Sequence, residues 1–453
     1  SNTEGASNVA IGRLAMENNT TASNNTAVGE SALEKNTTGA QNIAVGKLAV
    51  ACNTTGASLV AMGYEALCAN TTGSNNTALG REALRANTTG AGNVAIGANA
   101  LDSNTTAGCN IAIGFNSLQA NTTGQGQIAI GGCALYNNTG SENVAIGKES
   151  MCNTTSAETN VAIGSYSMRD ATTGNSNVAV GYCSLKANTT GAENIAIGRC
   201  AMHVNTTGGA NVSIGLGSME DNTTGTANLG VGYCALSCNT TAANNTAVGA
   251  FAMRVSTTGA SNTAVGRESL LKNTTGAGNV AMGLTSLCLN TTGGCNTTVG
   301  NSAMLYNTTG VCNVAMGYRA GHRITTGNNN VAIGSDTMYG TNSKTGNNNT
   351  GVGYQSLFCL TSGAQNTAYG MSSLYSITTG DSNTALGFEA GADAMINLTS
   401  SESNRIVIGN TSSTNAYIKI DWTVVSDLRD KTNIGTVPHG LNFVNQLNPI
   451  SYQ

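Results

Sequence analysis

The sequence predicts an all-β protein, a parallel β-solenoid (β-roll) of about 24 rungs that recur with a period of 17 along the chain. Three observations point there. A glycine returns at a fixed interval, large and small residues alternate just before it, and a block of turn residues follows it. The glycine closes the motif Asn-x-Ala-(Ile/Val/Leu/Met)-Gly. It falls at Gly12, Gly29, Gly46, Gly63, Gly80, Gly97, Gly114 and Gly131, each 17 from the last. One step of 16 leads to Gly147, and steps of 17 then run to Gly334. A step of 19 gives Gly353, Gly370 and Gly387 follow at 17, and a step of 22 reaches Gly409. Only three of the 23 steps depart from 17, so the repeat is architecture rather than chance.

Within a rung, each offset from the glycine has its own residue type. The residue before it is aliphatic, as at Ile11, Val28, Val45 and Met62. Two before it comes Ala, as at Ala10, Ala27 and Ala44. This period of two, with β-branched residues, is a strand signature. Four after the glycine comes another aliphatic, as at Met16, Leu33, Val50 and Leu67, with most of the charge lying between. Asn-Thr-Thr-Gly then closes the rung, as at Asn36 to Gly39, and is turn chemistry. Two aliphatics per rung, separated by Gly and Asn-Thr-Thr, cannot make a helical stripe.

Each rung is therefore expected to hold two strands of about four or five residues and two turns. One rung cannot bury its apolar face alone, and stacking supplies the partner. Aliphatic columns are expected to fill the interior, with Asn and Thr columns hydrogen-bonding from rung to rung. The Ala columns are expected to lie opposite the core, as a flat face on which three solenoids could pack around one axis.

Bulk composition narrows the function classes. Of 453 residues, 40% are hydrophobic and only 9% charged, with net charge −4. No Lys/Arg cluster supplies a nucleic-acid footprint, and no apolar run approaches a membrane-spanning helix. No signal peptide is visible at Ser1. The 13 Cys do not fall in zinc spacings. Cys183/Cys200 and Cys295/Cys312 would be neighbours on adjacent rungs, but the expectation is free thiols acting as small fillers. Gly-rich phosphate loops and acidic calcium motifs are absent, so no cofactor or metal is expected.

Asn-Val-Ala-Ile-Gly followed by a short hydrophobic segment is similar to the head repeats of trimeric autotransporter adhesins, which are left-handed, trimeric β-rolls. With Asn-Thr-Thr-Gly included, residues 1–410 resemble the repetitive shafts of phage tail-fibre proteins. At the C-terminus, Ser426-Asp427-Leu428-Arg429-Asp430-Lys431, His439-Gly440-Leu441-Asn442-Phe443 and Leu447-Asn448-Pro449-Ile450-Ser451-Tyr452 resemble the start of the intramolecular chaperone domain of endosialidases and other phage fibres. That resemblance implies a chaperone that directs trimer assembly and then cuts itself off. Ser426, Asp427 and Lys431 would act in that cleavage only, the Ser426 hydroxyl attacking the Val425 carbonyl with Lys431 assisting. Residues 411–425 would form a neck, with Trp422 in a trimer core, and residues 426–453 the incomplete chaperone.

Asn-x-Thr recurs in almost every rung, at Asn36, Asn53, Asn70, Asn87, Asn104, Asn121, Asn188 and Asn205 among others. These are either N-glycosylation acceptors of an extracellular filament or adhesin or the members of a structural ladder. Rungs about 4.8 Å apart leave little room for a glycan on each, which favours the ladder. The expected protein is a structural fibre of a virion, not an enzyme. Its partners would be itself, as a homotrimer or filament, and a carbohydrate or protein receptor on a host surface, with no nucleic acid and no membrane insertion.

Overall fold

The computed structural model describes residues 3–340, 342–392, 398 and 400–415. It contains 24 strands, β1 (Val9–Ile11) to β24 (Ile406–Ile408), and no helix among the described residues. Each strand pairs in parallel with the next in the chain, in register. Val178, Ala179 and Val180 of β11 face Ile195, Ala196 and Ile197 of β12 (Ile195–Ile197). All 24 form one sheet, so the chain is a β-solenoid advancing one strand per rung. At about 4.8 Å per rung the repeat spans on the order of 110 Å. The residues through Thr411 form one compact unit. The residues from 416 onward, which hold most of the expected 411–425 neck with Trp422 and the chaperone start, lie outside those described.

The expectation of two strands per rung is corrected: each rung carries one short strand, such as Val94–Ile96. The remainder is turn, yet it is bonded from rung to rung nearly as densely as a sheet. Around one rung, Ile43 N donates to Leu59 O (2.7 Å), Leu48 N to Glu30 O (2.9 Å), Val50 N to Ala66 O (2.9 Å) and Thr54 N to Thr71 O (2.9 Å). A second strand is not needed, because left-handed residues aim these groups along the stack. The second and fourth residues after the glycine have φ near +55°, as in Glu65 (54°) and Leu67 (53°). A leucine in this region costs roughly 1–2 kcal/mol. It is held there because its side chain enters the core while its N–H meets the next rung.

The inside and outside of the strand are also the reverse of expectation. The central Ala is buried, and Ala27, Ala44, Ala61 and Ala78 are all 0% exposed. They pack with the aliphatics four past the glycine, such as Leu33, Leu67, Leu84 and Met151, in one continuous core. The aliphatics on either side of the central Ala point outward. The physical reason is width: one short strand and two tight turns enclose a narrow bore. It has room for Ala on one wall and a single Leu or Met from the other, and alternation then forces the strand's larger residues out.

Asparagine fills the rest of the bore. The first asparagine column precedes the strand: Asn25 Oδ1 accepts from Asn42 N (2.8 Å), and Asn42 Nδ2 donates to Gly56 O (3.0 Å). The second is the Asn of Asn-Thr-Thr-Gly. Asn53 Nδ2 donates to Asn36 Oδ1 (2.8 Å) and to Gly56 O (2.9 Å). The adjoining Thr hydroxyls donate to the next rung's backbone, as Thr71 Oγ1 does to Thr88 O (3.0 Å). The ladder expected of these residues is thus present, and it lies inside the rod.

This second column breaks at Ser256, which stands where the neighbouring rungs carry Asn239 and Asn273. There the Oδ1 of Asn239 and the Oγ of Ser256 are buried without a hydrogen-bond partner. Ser256→Asn should bridge Asn239 and Asn273 and satisfy both breaks. Restoring two buried partners should stabilise these rungs by about 1–2 kcal/mol. Amide hydrogen exchange across residues 236–276 should slow accordingly; unchanged or faster exchange would contradict the ladder's role.

Candidate functional site

Most of the rod's polar groups are consumed by stacking, so function has to be sought on its outer faces. The largest is apolar. It consists of three parallel files: the two outer residues of each strand and the residue just after the glycine. Among the described residues, 25 of the 29 exposed large hydrophobic residues lie on these files. Ile163, Ile197, Ile214, Met282 and Met316 are 38–43% exposed along the second file, and Tyr64, Tyr182, Tyr233, Tyr318 and Tyr354 are 46–50% exposed along the third. The second file is apolar in every rung, whereas monomeric proteins rarely expose contiguous apolar patches above a few hundred Å². The third file is mixed: Arg13, Glu30, Lys47, Arg81, Lys148, Arg199 and Arg267 stand on it between the aromatics, most of them paired in place, as in Arg81–Glu82 (3.1 Å) and Arg267–Glu268 (2.8 Å).

A second feature occupies one corner of rungs 18 to 22. Five rings climb the stack: Tyr306, His322, Tyr339, Phe358 and Tyr375, with centroids 5.1, 5.1, 5.8 and 4.9 Å apart. The Arg319 guanidinium lies over both Tyr318 (4.5 Å) and Tyr339 (4.4 Å), and its Nε is 2.8 Å from Asp336 Oδ1. Arg323 lies over Tyr306 at 5.0 Å. Burial, reinforced by Arg323 and Arg319, drives His322 down to about 4, so it is neutral near pH 7. His322 Nδ1 and Arg323 Nε are buried without hydrogen-bond partners. The corner pairs aromatic faces with two guanidiniums and one carboxylate, on a chain whose net charge is −4. Sequence reading missed it. The signal was there in the column alignment, where the residues five and six past the glycine turn aromatic and basic after Gly300.

Beneath this corner, the long rung between Gly334 and Gly353 carries Lys344 into the core at 2% exposure. Its Nζ donates to the carbonyls of Phe358, at 3.0 Å, and Leu360. Burial pushes Lys344 from 10.5 down to about 7; nearby Cys359 opposes that shift, while Arg323 adds to it. The folded rod thus prefers the neutral amine, and its stability should rise with pH from about 7 toward the unfolded lysine's range near 10.4. Burial also raises the Cys359 thiol, which opposes the lysine as pH nears the unfolded thiol's range of about 8.5, so the window from pH 7 to about 7.8 reports mainly on Lys344. Local stability should climb across that window in the native rod and stay flat in Lys344→Met, read by hydrogen exchange corrected for intrinsic rate. Equal slopes would contradict this.

The residues singled out from sequence fare differently. Asn36, Asn53, Asn70, Asn87, Asn104, Asn121, Asn188 and Asn205 are all 0% exposed. Their side-chain nitrogens are committed inside the ladder, as Asn87 Nδ2 is to Asn70 Oδ1 (2.8 Å) and Asn205 Nδ2 to Asn188 Oδ1 (2.8 Å). A glycan on the folded rod would require breaking that ladder, which argues against these positions as acceptors. All 13 cysteines are free; Cys183 and Cys288 are buried, whereas Cys109, Cys295 and Cys312 are exposed and fill no gap. Ser426, Asp427 and Lys431 lie outside the described residues. Among the described residues no group of His, Cys, Asp and Glu is arranged to hold a metal ion, and no helix is long and apolar enough to cross a membrane.

Comparison with known proteins returned no matching family model, no matching curated protein and no matching solved structure.

Proposed function

We propose that this chain is the shaft of a structural attachment fibre of the viral tail-fibre type, assembled from parallel copies of itself. The observation that carries this reading is the apolar face running the length of the rod. A second copy in the same orientation repeats every residue at the same rung spacing, so the files that meet across such a contact stay in register along its whole length. Three rods around one axis would bury all three such faces, and trimerisation is the form proposed here. The expected trimer rested on an outward Ala face; with Ala inside, the proposed contact is the Val/Ile/Met and Tyr/Phe files instead. Self-cleavage at Val425–Ser426 by Ser426, Asp427 and Lys431 belongs to the same proposal, as a single event of assembly without substrate turnover.

Attachment is assigned to the Arg319/Arg323 corner, whose aromatic faces suit sugar rings and whose guanidiniums suit carboxylates. Many copies on one surface would turn weak contacts into avidity. The test is a glycan array probed with the full chain. Binding to acidic saccharides, weakened tenfold or more by Arg323→Gln and by added salt, supports the assignment. Binding that ignores Arg323→Gln moves attachment elsewhere on the rod.

A further inference from the structure

Cys295 and Cys312 occupy the same place in adjacent rungs, five residues before Gly300 and Gly317. Both are exposed, and both have φ 58°. Their backbones are locked in register: Cys295 N donates to Ala277 O (2.9 Å) and Cys312 N to Gly294 O (3.1 Å). The column itself gauges the gap between neighbours. A β carbon placed on Gly278, one rung before Cys295, would stand 3.6 Å from Cys295 Sγ. The same construction at Gly92 puts it 3.7 Å from Cys109 Sγ. One rung on, Cys295 takes the place of Gly278 and Cys312 that of Cys295, so the register carries the same spacing over to this pair. The Cα atoms are one rung apart, about 4.8 Å, within the roughly 4.4–6.8 Å that disulfides span.

We propose that Cys295 and Cys312 form a surface dithiol that closes into a rung-to-rung disulfide on meeting a low-molecular-weight disulfide. The thiolate of one cysteine attacks a sulfur of the external disulfide, forming a mixed disulfide and releasing one thiol. The second cysteine's thiolate attacks the protein sulfur of that mixed disulfide and releases the other thiol. The protein pair loses two electrons and two protons, and one external disulfide becomes two thiols. The other same-column pair is shielded: Cys183 is buried, and burial raises the Cys200 thiol. Cys109 is the internal control. It is exposed in the same column, but its column neighbours are Gly92 and Gly126, so it has no thiol one rung away.

The test treats the full folded chain with oxidised glutathione, followed by alkylation and peptide mass spectrometry. The expected result is Cys295 and Cys312 joined to each other, with Cys109 carrying glutathione. In Cys295→Ser, Cys312 should then keep glutathione as Cys109 does; both side chains are exposed, so the substitution leaves the core intact. Glutathione retained on both Cys295 and Cys312 of the native chain, neither cysteine oxidised while Cys109 reacts, or a bond between two chains through these residues would each overturn the proposal.

Discussion

Gly198→Ala should open the rod at that rung. Gly198 has φ 137°, in a region that side chains rarely enter, and a β carbon there would lie 2.4 Å from Gly215 O on the next rung. Neither group can retreat, because Gly198 N donates to Val180 O and Gly215 N to Ile197 O, both at 2.8 Å. Strain and contact together should cost on the order of 3–5 kcal/mol, the range of severe backbone substitutions. The chain supplies its own control in the turn glycine ten residues later. A β carbon on Gly39 would lie 2.2 Å from Gly56 O, yet Ala22, Ala107, Ala157 and Ala242 occupy the equivalent place in other rungs. That position has no positive φ, so a small shift relieves the contact. Gly39→Ala should therefore be mild where Gly198→Ala is severe. Limited proteolysis and hydrogen exchange should show rapid opening near residue 198 and little change near residue 39. Equal tolerance would mean that the glycine column is not what spaces the rungs.

The second large effect concerns the outer face. Ile197 and Ile214 pair across neighbouring strands and are each 38% exposed. Ile197→Lys with Ile214→Glu places opposite charges side by side, which preserves strand pairing. The same charges would be stranded in any apolar contact between rods, at a cost of several kcal/mol if left unpaired. Circular dichroism should be unchanged, while self-association should weaken at least tenfold. A variant that assembles as tightly as the native chain would remove this face from the interface.

Rung length, strand position and the Asn/Thr ladder were all legible in the sequence, because each depends on local chemistry repeated in register. Gly, Asn and Thr have few roles that recur once in every rung. Which side of the strand faces inward was not legible. Val-Ala-Ile reads equally well with its large residues in or out, and the width of the bore decides. That width is set by the left-handed residues at positions such as Glu65 and Leu67, whose types give no hint of positive φ. The buried state of Asn36 and its equivalents was open for the same reason, since the sequon pattern is identical for a surface acceptor and an interior rung. The Arg319/Arg323 corner arises where the regular pattern lapses: Ile324 and Leu360 replace the ladder Asn, and the long rung after Gly334 inserts Lys344. A reading centred on what repeats passes over the place where repetition stops.

The central claim, that the apolar face joins parallel copies of this chain, is tested most directly by native mass spectrometry of this chain beside its Ile197→Lys/Ile214→Glu variant at micromolar concentration. The account predicts a native particle of three chains, each 45.5 kDa or shortened by cleavage at Val425–Ser426, and a variant that falls to single chains with its fold intact. A native chain that is monomeric under these conditions, with its outer files bare to water, would contradict it.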